Sequence, residues 1–275
     1  MKKLVVLILM SIVSVHTYSQ RKPKIKGNRN VIEVREDLEP FTAIEVNDDL
    51  DIMLQKSSQE GYALEIDDNL VDVLKFKVEN GVLQISSFYN ITSKKKLDIT
   101  IFFTEISSLK MLNGKISMKD VISTDYLKVF TSGTSRLELN ATSDVIDITM
   151  EEISSGDFNL ASDSLNVTLK DRIDVKLYAT GVNNNIYLYE NASAKVEGTA
   201  DIFKVKLYGN SSLKASELQS GEVFLNTEDS SDAEIRALNN FQLSSKGSSR
   251  TKLYGNAKIN IIEFLDTSRL EKEKD

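Results

Sequence analysis

Apolar residues in the C-terminal part of this chain recur at a nearly constant interval of about 19 residues. One residue per unit marks the series: Leu109, Leu127, Ile146, Leu165, Ile186, Phe203, Val223, Phe241 and Ile259. Successive members lie 18, 19, 19, 21, 17, 20, 18 and 18 residues apart. In solenoids, which have repeats of this length, each unit buries its apolar face by stacking on its neighbour. The interval therefore predicts an all-β fold, a parallel β-helix (β-solenoid) over residues 107–262.

The repeated unit has a regular interior. Apolar residues stand at positions i and i+2, Gly at i+6, Ser at i+8 and a second apolar pair at i+10 and i+12. Two units fit this template in every slot, namely Leu127, Val129, Gly133, Ser135, Leu137, Leu139 and Phe203, Val205, Gly209, Ser211, Leu213, Ala215. In other units Asp229 and Ala192 replace the corner glycine. The pattern predicts two short strands joined by a Gly-Ser corner, with neighbouring coils about 4.8 Å apart.

Residues 31–106 alternate apolar and polar side chains over short runs, which predicts a β-rich N-terminal region of half-buried strands. Asn80-Gly81 separates two such runs, and both residue types accept the positive φ angles of a type I′ hairpin turn. An antiparallel β-sandwich also contains short strands at similar spacing, and it is the alternative architecture. The fixed offset of the corner residues favours the solenoid.

The N-terminus has the pattern of a secretory signal peptide. Lys2 and Lys3 precede an apolar run from Leu4 to Val15, and cleavage is expected after Ser19. The run is shorter than the ~20 residues of a membrane-spanning helix, and no transmembrane span is predicted after signal cleavage. The chain contains no Cys, which disfavours a bacterial lipid anchor. We therefore expect residues 1–19 to be removed and the protein to be exported.

The charge balance limits the partners of the mature chain. Removing Lys2 and Lys3 from the 34 basic residues leaves 32 against 41 acidic ones, a net charge of −9. Nucleic acid is an unfavourable partner for such a surface. Residues 20–30 form a basic leader that could touch anionic polymers or be a solvated segment. Residues 263–275 form a charged C-terminal tail, and the tail and the N-terminal region are candidates to cover the strand edges of the solenoid ends.

The sequence lacks the side chains that most catalytic and metal sites use. Its single His is His16, inside the predicted signal peptide. The mature chain therefore has neither His nor Cys, which excludes Ser-His-Asp and Cys-His nucleophiles and zinc sites built on those ligands. No metal, cofactor or enzymatic activity is predicted. Paired carboxylates remain the only enzymatic alternative, with three candidate pairs: Asp144 with Asp147, Glu151 with Glu152, and Asp229 with Asp232.

Three tyrosines are candidates for a binding patch. Tyr187, Tyr189 and Tyr208 fall at outward or corner positions of neighbouring coils, where they could stack against a glycan. The alternative interpretation is that they only cover the edge of the coils. Asp163-Ser164-Leu165 resembles a three-residue O-glycosylation acceptor.

The chain resembles a family of Bacteroidota envelope proteins described as "putative auto-transporter adhesin, head GIN domain". The resemblance lies in residues 41–46 (FTAIEV), 68–71 (DNLV), 80–85 (NGVLQI), 131–135 (TSGTS) and 253–258 (LYGNAK). It covers about residues 41 to 260 and implies a two-part β-solenoid, export, and an adhesion or envelope role with a glycan or protein partner. A self-associating structural subunit, and thus a homo-oligomer, and a carbohydrate-active enzyme are the alternatives.

Overall fold

The computed structural model describes residues 22–274, so the predicted signal peptide lies outside the described residues. The chain forms a β-solenoid of about nine turns with coils of about 19 residues. Consecutive strands of the array pair in parallel and in register, as Ile146 with Leu165 shows. The predicted solenoid is thus confirmed, and the antiparallel sandwich alternative is wrong.

Twenty-one strands and one 3-10 helix are formed within residues 22–274. The N-terminal strands are β1 (Lys24–Lys26), β2 (Val31–Asp37), β3 (Ala43–Val46), β4 (Asp51–Lys56), β5 (Gly61–Asp67), then the 3-10 helix (Asp68–Val73), β6 (Leu74–Glu79), β7 (Val82–Ser87), β8 (Asn90–Ser93) and β9 (Leu97–Phe103). The array continues with β10 (Ser108–Met111), β11 (Lys115–Met118), β12 (Ile122–Thr131), β13 (Arg136–Met150), β14 (Ser155–Leu169), β15 (Asp174–Leu188) and β16 (Ser193–Leu207). It ends with β17 (Ser212–Thr227), β18 (Asp232–Ser245), β19 (Arg250–Tyr254), β20 (Lys258–Phe264) and β21 (Arg269–Lys272).

Inward residues of successive coils form continuous apolar columns. One column is in register throughout: Ile148, Val167, Ile186, Val205, Leu225, Leu243 and Ile261. All of these except the last are buried. Each such side chain contributes up to about 1.5–3 kcal/mol when it leaves water. Burial is complete only when coils lie on both sides, which is why a single repeat has no core of its own.

The register of two units differs from the sequence prediction. The column of Leu165 and Phe203 contains Asn184, not Ile186, which lies two residues further along the strand. Likewise, Leu109 pairs with Val129 rather than Leu127. The sequence prediction assumed an apolar core residue in every unit. Where the core residue is polar, it therefore assigned an apolar residue two positions further along the chain. With Asn184 in place, the intervals on either side are both 19 residues.

From β10 onward, one corner of each coil has a residue with positive φ. These residues are Gly114, Gly133, Glu152, Asp171, Glu190, Gly209, Asp229, Gly247 and Asp266. The corner of the Ile186 unit is therefore Glu190 rather than Ala192. Gly133 also has a packing requirement, since a Cβ there would lie 2.1 Å from the Leu112 carbonyl oxygen. At five of these nine corners, an acidic residue adopts the same backbone conformation as glycine does at the other four.

The parallel ladder extends to residues before 107. Strands β3 and β4 form a coil that pairs with β10 and β11, although about fifty residues separate the two coils in sequence. Strands β7 and β9 pair in parallel with the outer edges of β3 and β4. Beyond them β6 pairs antiparallel with β7, β5 pairs antiparallel with β9, and β2 pairs antiparallel with β5. These antiparallel strands cap the N-terminal end of the solenoid. The hairpin predicted at Asn80-Gly81 joins β6 to β7, with φ of 52° and 75°.

The basic leader is tied to the cap from Lys22 onward. Strand β1 pairs with β8, and Lys22 forms an ion pair with Asp48. The fully buried Asp67 accepts backbone N–H groups of Arg29, Lys95 and Lys96, each at 3.1 Å. Burial raises the pKa of Asp67, but these N–H groups outweigh it and hold the pKa below its ordinary value. The leader is thus part of the folded cap.

The C-terminal end of the array is built differently. Strand β20 pairs in parallel with β18, and β21, within the predicted charged tail, pairs in parallel with β19. No strand within residues 22–274 pairs with the far edges of β20 and β21. Several apolar side chains of this last coil are 41–59% exposed, namely Ile259, Ile261, Ile262, Phe264 and Leu265. The tail therefore supplies part of a final coil, and that coil has an open edge.

The acidic corners predict a measurable stabilisation at Asp229. Its carboxylate accepts the backbone N–H of Gly209 on the preceding coil at 3.1 Å, and its φ is 60°. Asp229→Ala should lower the free energy of unfolding by about 1–2 kcal/mol, because it loses this bond and places an alanine in a left-handed conformation. Asp229→Gly should cost less, since glycine adopts this conformation freely. Guanidinium denaturation followed by circular dichroism measures both, and equal losses would contradict the explanation.

Candidate binding surfaces

A polar groove of about 800 Å³ runs along the second corner of the central coils. Its carboxylates come from Glu105, Asp125, Asp144 and Asp163, and its hydroxyls from Ser123, Thr124, Thr142, Ser143, Ser162 and Thr180. Asp125, Asp144 and Asp163 stand one per coil, so their backbones are about 4.8 Å apart. All three are exposed to solvent. The groove is therefore a row of similar polar positions open to water.

Two of the three predicted carboxylate pairs are engaged in contacts between coils. Glu152 accepts the backbone N–H of Gly133 at 2.8 Å, while Glu151 forms an ion pair with Lys170 at 2.8 Å. In the other pair, Asp229 holds the corner already described, and Asp232 lies 3.8 Å from the Arg250 guanidinium. Both pairs thus have a role in joining one coil to the next.

The third pair is divided between two surfaces. Asp144 lines the polar groove, whereas Asp147 lies in a hydrogen-bonded ladder on the outward face of the strands. In that ladder Asp147 accepts from Tyr126 at 2.6 Å and from Asn166 at 2.7 Å, and Asn166 accepts from Asn185 at 2.9 Å. The hydrogen bond to Asp147, together with burial, raises the pKa of Tyr126. The ladder uses both carboxylate oxygens of Asp147.

The structure brings the three predicted tyrosines onto one face, each half-buried. The rings of Tyr189 and Tyr208 stack on each other, with centroids 5.1 Å apart and planes 6° apart. Each ring therefore covers one face of the other. Tyr187 lies under the ammonium group of Lys206, 5.6 Å from the ring centroid. Of the three, Tyr187 lines a surface depression.

This depression has a volume of about 370 Å³ and is called the lysine-aromatic depression here. Its lining includes the side chains of Tyr187, Lys204, Lys206, Phe224, Asn226 and Gln242. Both lysines are exposed, and within residues 22–274 neither forms an ion pair. The depression therefore combines aromatic rings, side-chain amides and two cations on a protein of net negative charge.

The sequence prediction did not include Phe224 or the two lysines. Phe224 stands between the inward residues Val223 and Leu225, so strand alternation places it outward. That alternation could have identified it. The contribution of Lys204 and Lys206 could not be read in the same way, because it depends on the coil register that brings them beside Tyr187 and Phe224.

The other sequence candidates have simple positions. Asp163 lines the polar groove, Ser164 is a half-buried residue of strand β14, and Leu165 is fully buried in the core. Among the residues that the structure describes, no three acidic or other ligand side chains converge on a common metal position. Within the same range, no helix has the length and apolar character needed to cross a bilayer.

These observations define a repetitive β-solenoid whose distinctive polar features lie on outward faces of its coils. The chain belongs to the family described as "putative auto-transporter adhesin, head GIN domain", which it matches over residues 40–257. The family resemblance predicted from the sequence is thus confirmed. The family description suggests an adhesion or envelope role and an exported protein. No curated protein matches the chain.

Solved structures of similar fold come from Parabacteroides. An adhesin-like protein of Parabacteroides merdae, described as a putative adhesin, is 14% identical with a TM-score of 0.65, and the match covers 91% of this chain and 99% of that one. A putative adhesin of Parabacteroides distasonis is 14% identical with a TM-score of 0.66, covering 90% and 99%. A putative lipid binding protein of the same species is 18% identical with a TM-score of 0.58, covering 92% and 98%. At these identities the likeness concerns the fold.

Proposed function

We propose that this protein is an exported, non-enzymatic adhesion module that binds an acidic saccharide chain at the lysine-aromatic depression. The main support is that Lys204 and Lys206 lie beside Tyr187 and Phe224. Neither lysine has an ion-pair partner within residues 22–274. Family membership supports the adhesion or envelope role. The ligand would lie on the cell surface or in the envelope, and the protein would act in the periplasm, on the outer-membrane surface or outside the cell.

The chemistry of the depression suits a charged sugar. Aromatic rings pack against the apolar faces of pyranose rings, and amide side chains such as Asn226 and Gln242 can donate to and accept from hydroxyl groups. Lysine ammonium groups attract carboxylate or sulfate substituents, and Lys204 and Lys206 have no acidic partner within residues 22–274 that would compete for them. An acyl chain would instead need an enclosed apolar cavity, and this depression is open and edged by lysines.

A carbohydrate-active enzyme is the second candidate, because the polar groove carries a row of exposed acids. A general acid in a glycosidase usually has a raised pKa in a desolvated setting, paired with a second carboxylate of different environment. Asp125, Asp144 and Asp163 share one open environment. This uniformity favours binding over hydrolysis.

The proposed function predicts a selective loss of binding. The chain from residue 22 onward should bind acidic oligosaccharides, such as polygalacturonate or chondroitin sulfate fragments, on a glycan array that also carries neutral glycans. Phe224→Ala should weaken binding at least about tenfold, equivalent to about 1.4 kcal/mol, because it removes a ring that contacts the sugar. Replacing Lys204 and Lys206 together by Gln should weaken binding and remove its salt dependence. Calorimetric titration of the strongest array ligand gives the affinities.

Tyr178 offers a matched control. It is an exposed tyrosine, 50% accessible, on the strand segment of β15 that lies beyond the second corner from Tyr187. Tyr178→Ala should leave the affinity unchanged. Equal weakening by the Tyr178 and Phe224 substitutions, or binding of neutral glycans alone, would contradict the proposal. Release of shortened oligosaccharides that stops on Asp144→Asn would instead support the enzyme.

A further inference from the structure

The two ends of the solenoid are unequal. At the N-terminal end, antiparallel strands β2, β5 and β6 and the 3-10 helix cover the ladder, and Leu70 and Val73 of that helix are buried. At the C-terminal end, the outer edges of β20 and β21 have no partner among the described strands. The apolar side chains of the last coil, Ile259 and Ile261 among them, occupy core columns but are exposed. An open strand edge with apolar inward residues is a template for further pairing.

The arrangement of the last coil follows from the coil beneath it. Ser245 and Ser249 face each other across the core, with their hydroxyl oxygens 2.7 Å apart. Moving two residues away from the corner on each side brings Leu243 opposite Thr251. Because Ile261 stacks on Leu243 and Leu270 stacks on Thr251, Ile261 and Leu270 lie opposite each other in the last coil.

Because Ile261 and Leu270 lie opposite each other, a single twofold axis can relate both β20 and β21 to the same strands of a second copy. An axis that crosses the open end through Ile261 and Leu270, perpendicular to the strands, would pair β20 with β20 and β21 with β21 of a second copy, each antiparallel. The backbone N–H groups of Arg269 and Glu273 point back into the array, to Ser249 and Leu253, so by alternation the peptide groups of Leu270 point outward. Leu270 can therefore exchange both backbone hydrogen bonds with Leu270 of the second copy.

The side chains are complementary in the same register. In β21, pairing centred on Leu270 places Arg269 opposite Glu271 of the second copy, twice by symmetry. In β20, the extra residue at Ile262 shifts the register, so that pairing centred on Ile261 places Ile259 opposite Phe264. Apolar residues thus meet apolar residues, and basic residues meet acidic ones.

We propose that two copies of this chain associate tail to tail through the open edges of β20 and β21, about a twofold axis through Ile261 and Leu270. The same end of both copies takes part in this twofold contact, so the association closes at the dimer rather than growing into a filament. The contact is one coil wide, so we expect a reversible dimer with a Kd of about 1–100 µM. The interface lies on the end of the array and is independent of the lysine-aromatic depression.

A charge-reversal series tests the register. Sedimentation velocity of the chain from residue 22 onward should show a concentration-dependent monomer–dimer equilibrium. Arg269→Glu should weaken dimerisation at least about tenfold by placing it against Glu271 of the second copy, and Glu271→Arg should do the same by placing it against Arg269. The double variant, which swaps the two charges, should restore the dimer. The proposal would be overturned if the chain stayed monomeric at all concentrations up to about 100 µM. It would also be overturned if the double variant dimerised no more strongly than the single variants.

A single cysteine tests the axis itself. The chain contains no Cys, so Leu270→Cys introduces one thiol per copy. Residues that exchange both backbone hydrogen bonds on antiparallel strands have Cα atoms about 5.5 Å apart, within the range of a disulfide. Mild oxidation should give a disulfide-linked dimer of Leu270→Cys. Ser230→Cys, on an exposed corner two coils before the open end, should stay monomeric under the same conditions. Equal linkage of both variants would contradict the axis.

Discussion

Replacing Asn184 by leucine should raise the free energy of unfolding by about 1–3 kcal/mol. Asn184 is 1% exposed, and its amide nitrogen and oxygen have no hydrogen-bond partner within the described chain. It occupies the core column between Leu165 and Phe203, where an apolar side chain would pack between apolar neighbours. An unpaired buried amide is costly, and leucine of similar volume removes that cost. The midpoint of guanidinium denaturation measures the change.

Asn185→Leu is the matched control, because it changes the next residue in the same way. Asn185 faces outward and donates to the side-chain oxygen of Asn166 at 2.9 Å. Its replacement removes a bond of the ladder and exposes an apolar side chain, so stability should not rise. A loss of stability in Asn184→Leu would show that the buried amide has a partner in solution, such as a bound water, and would contradict our explanation.

Truncation of Phe203 should destabilise the fold more than replacement of Asp229, Asn185 or Phe224. Phe203 is 1% exposed and packs in the column between Asn184 and Val223. Phe203→Ala removes most of a ring from a site closed by coils on both sides, and it should lower the free energy of unfolding by about 3–5 kcal/mol. Chemical denaturation followed by circular dichroism gives the value.

Phe224→Ala provides the comparison on an outward face. Phe224 is only half-buried and stands on a strand of the next coil, so its loss leaves no enclosed cavity. We expect this substitution to reduce stability much less than Phe203→Ala, although it should weaken the proposed saccharide binding. Similar losses of stability for the two variants would mean that Phe224 contributes to the core.

The repeat could be predicted from the sequence because its physical cause is local. Inward residues must be apolar, and they recur once per coil, so an alignment such as Ile148 with Val167 is visible without coordinates. The prediction was wrong where the rule is broken: at Asn184 the core residue is polar, and the register slipped to Ile186. A pattern based on polarity cannot place a polar residue in the core.

The first coil and the proposed binding surface were less accessible to sequence reasoning. Strands β3 and β4 belong to the ladder, but the strands of the cap separate them in sequence from β10 and β11, so no constant interval connects them. Tyr187 was predicted from its outward position, whereas the depression beside it also needs Lys204 from the next coil and Phe224 from the one after. Neighbours across coils depend on register, which a single unit does not reveal.

The cap lies at the end of the solenoid that is synthesised first, so folding of the coils can proceed in one direction along the chain. Once β7 and β9 have joined β3 and β4, each later coil meets a completed template as soon as its own residues become available. From β13 onward, a growing chain needs to close a loop of only about one repeat to add the next layer, which keeps the entropic cost of every step small and similar. Folding in this direction suits a polypeptide that emerges gradually from its N-terminus. The part that has emerged can already be folded, and each new coil is added to the coil before it.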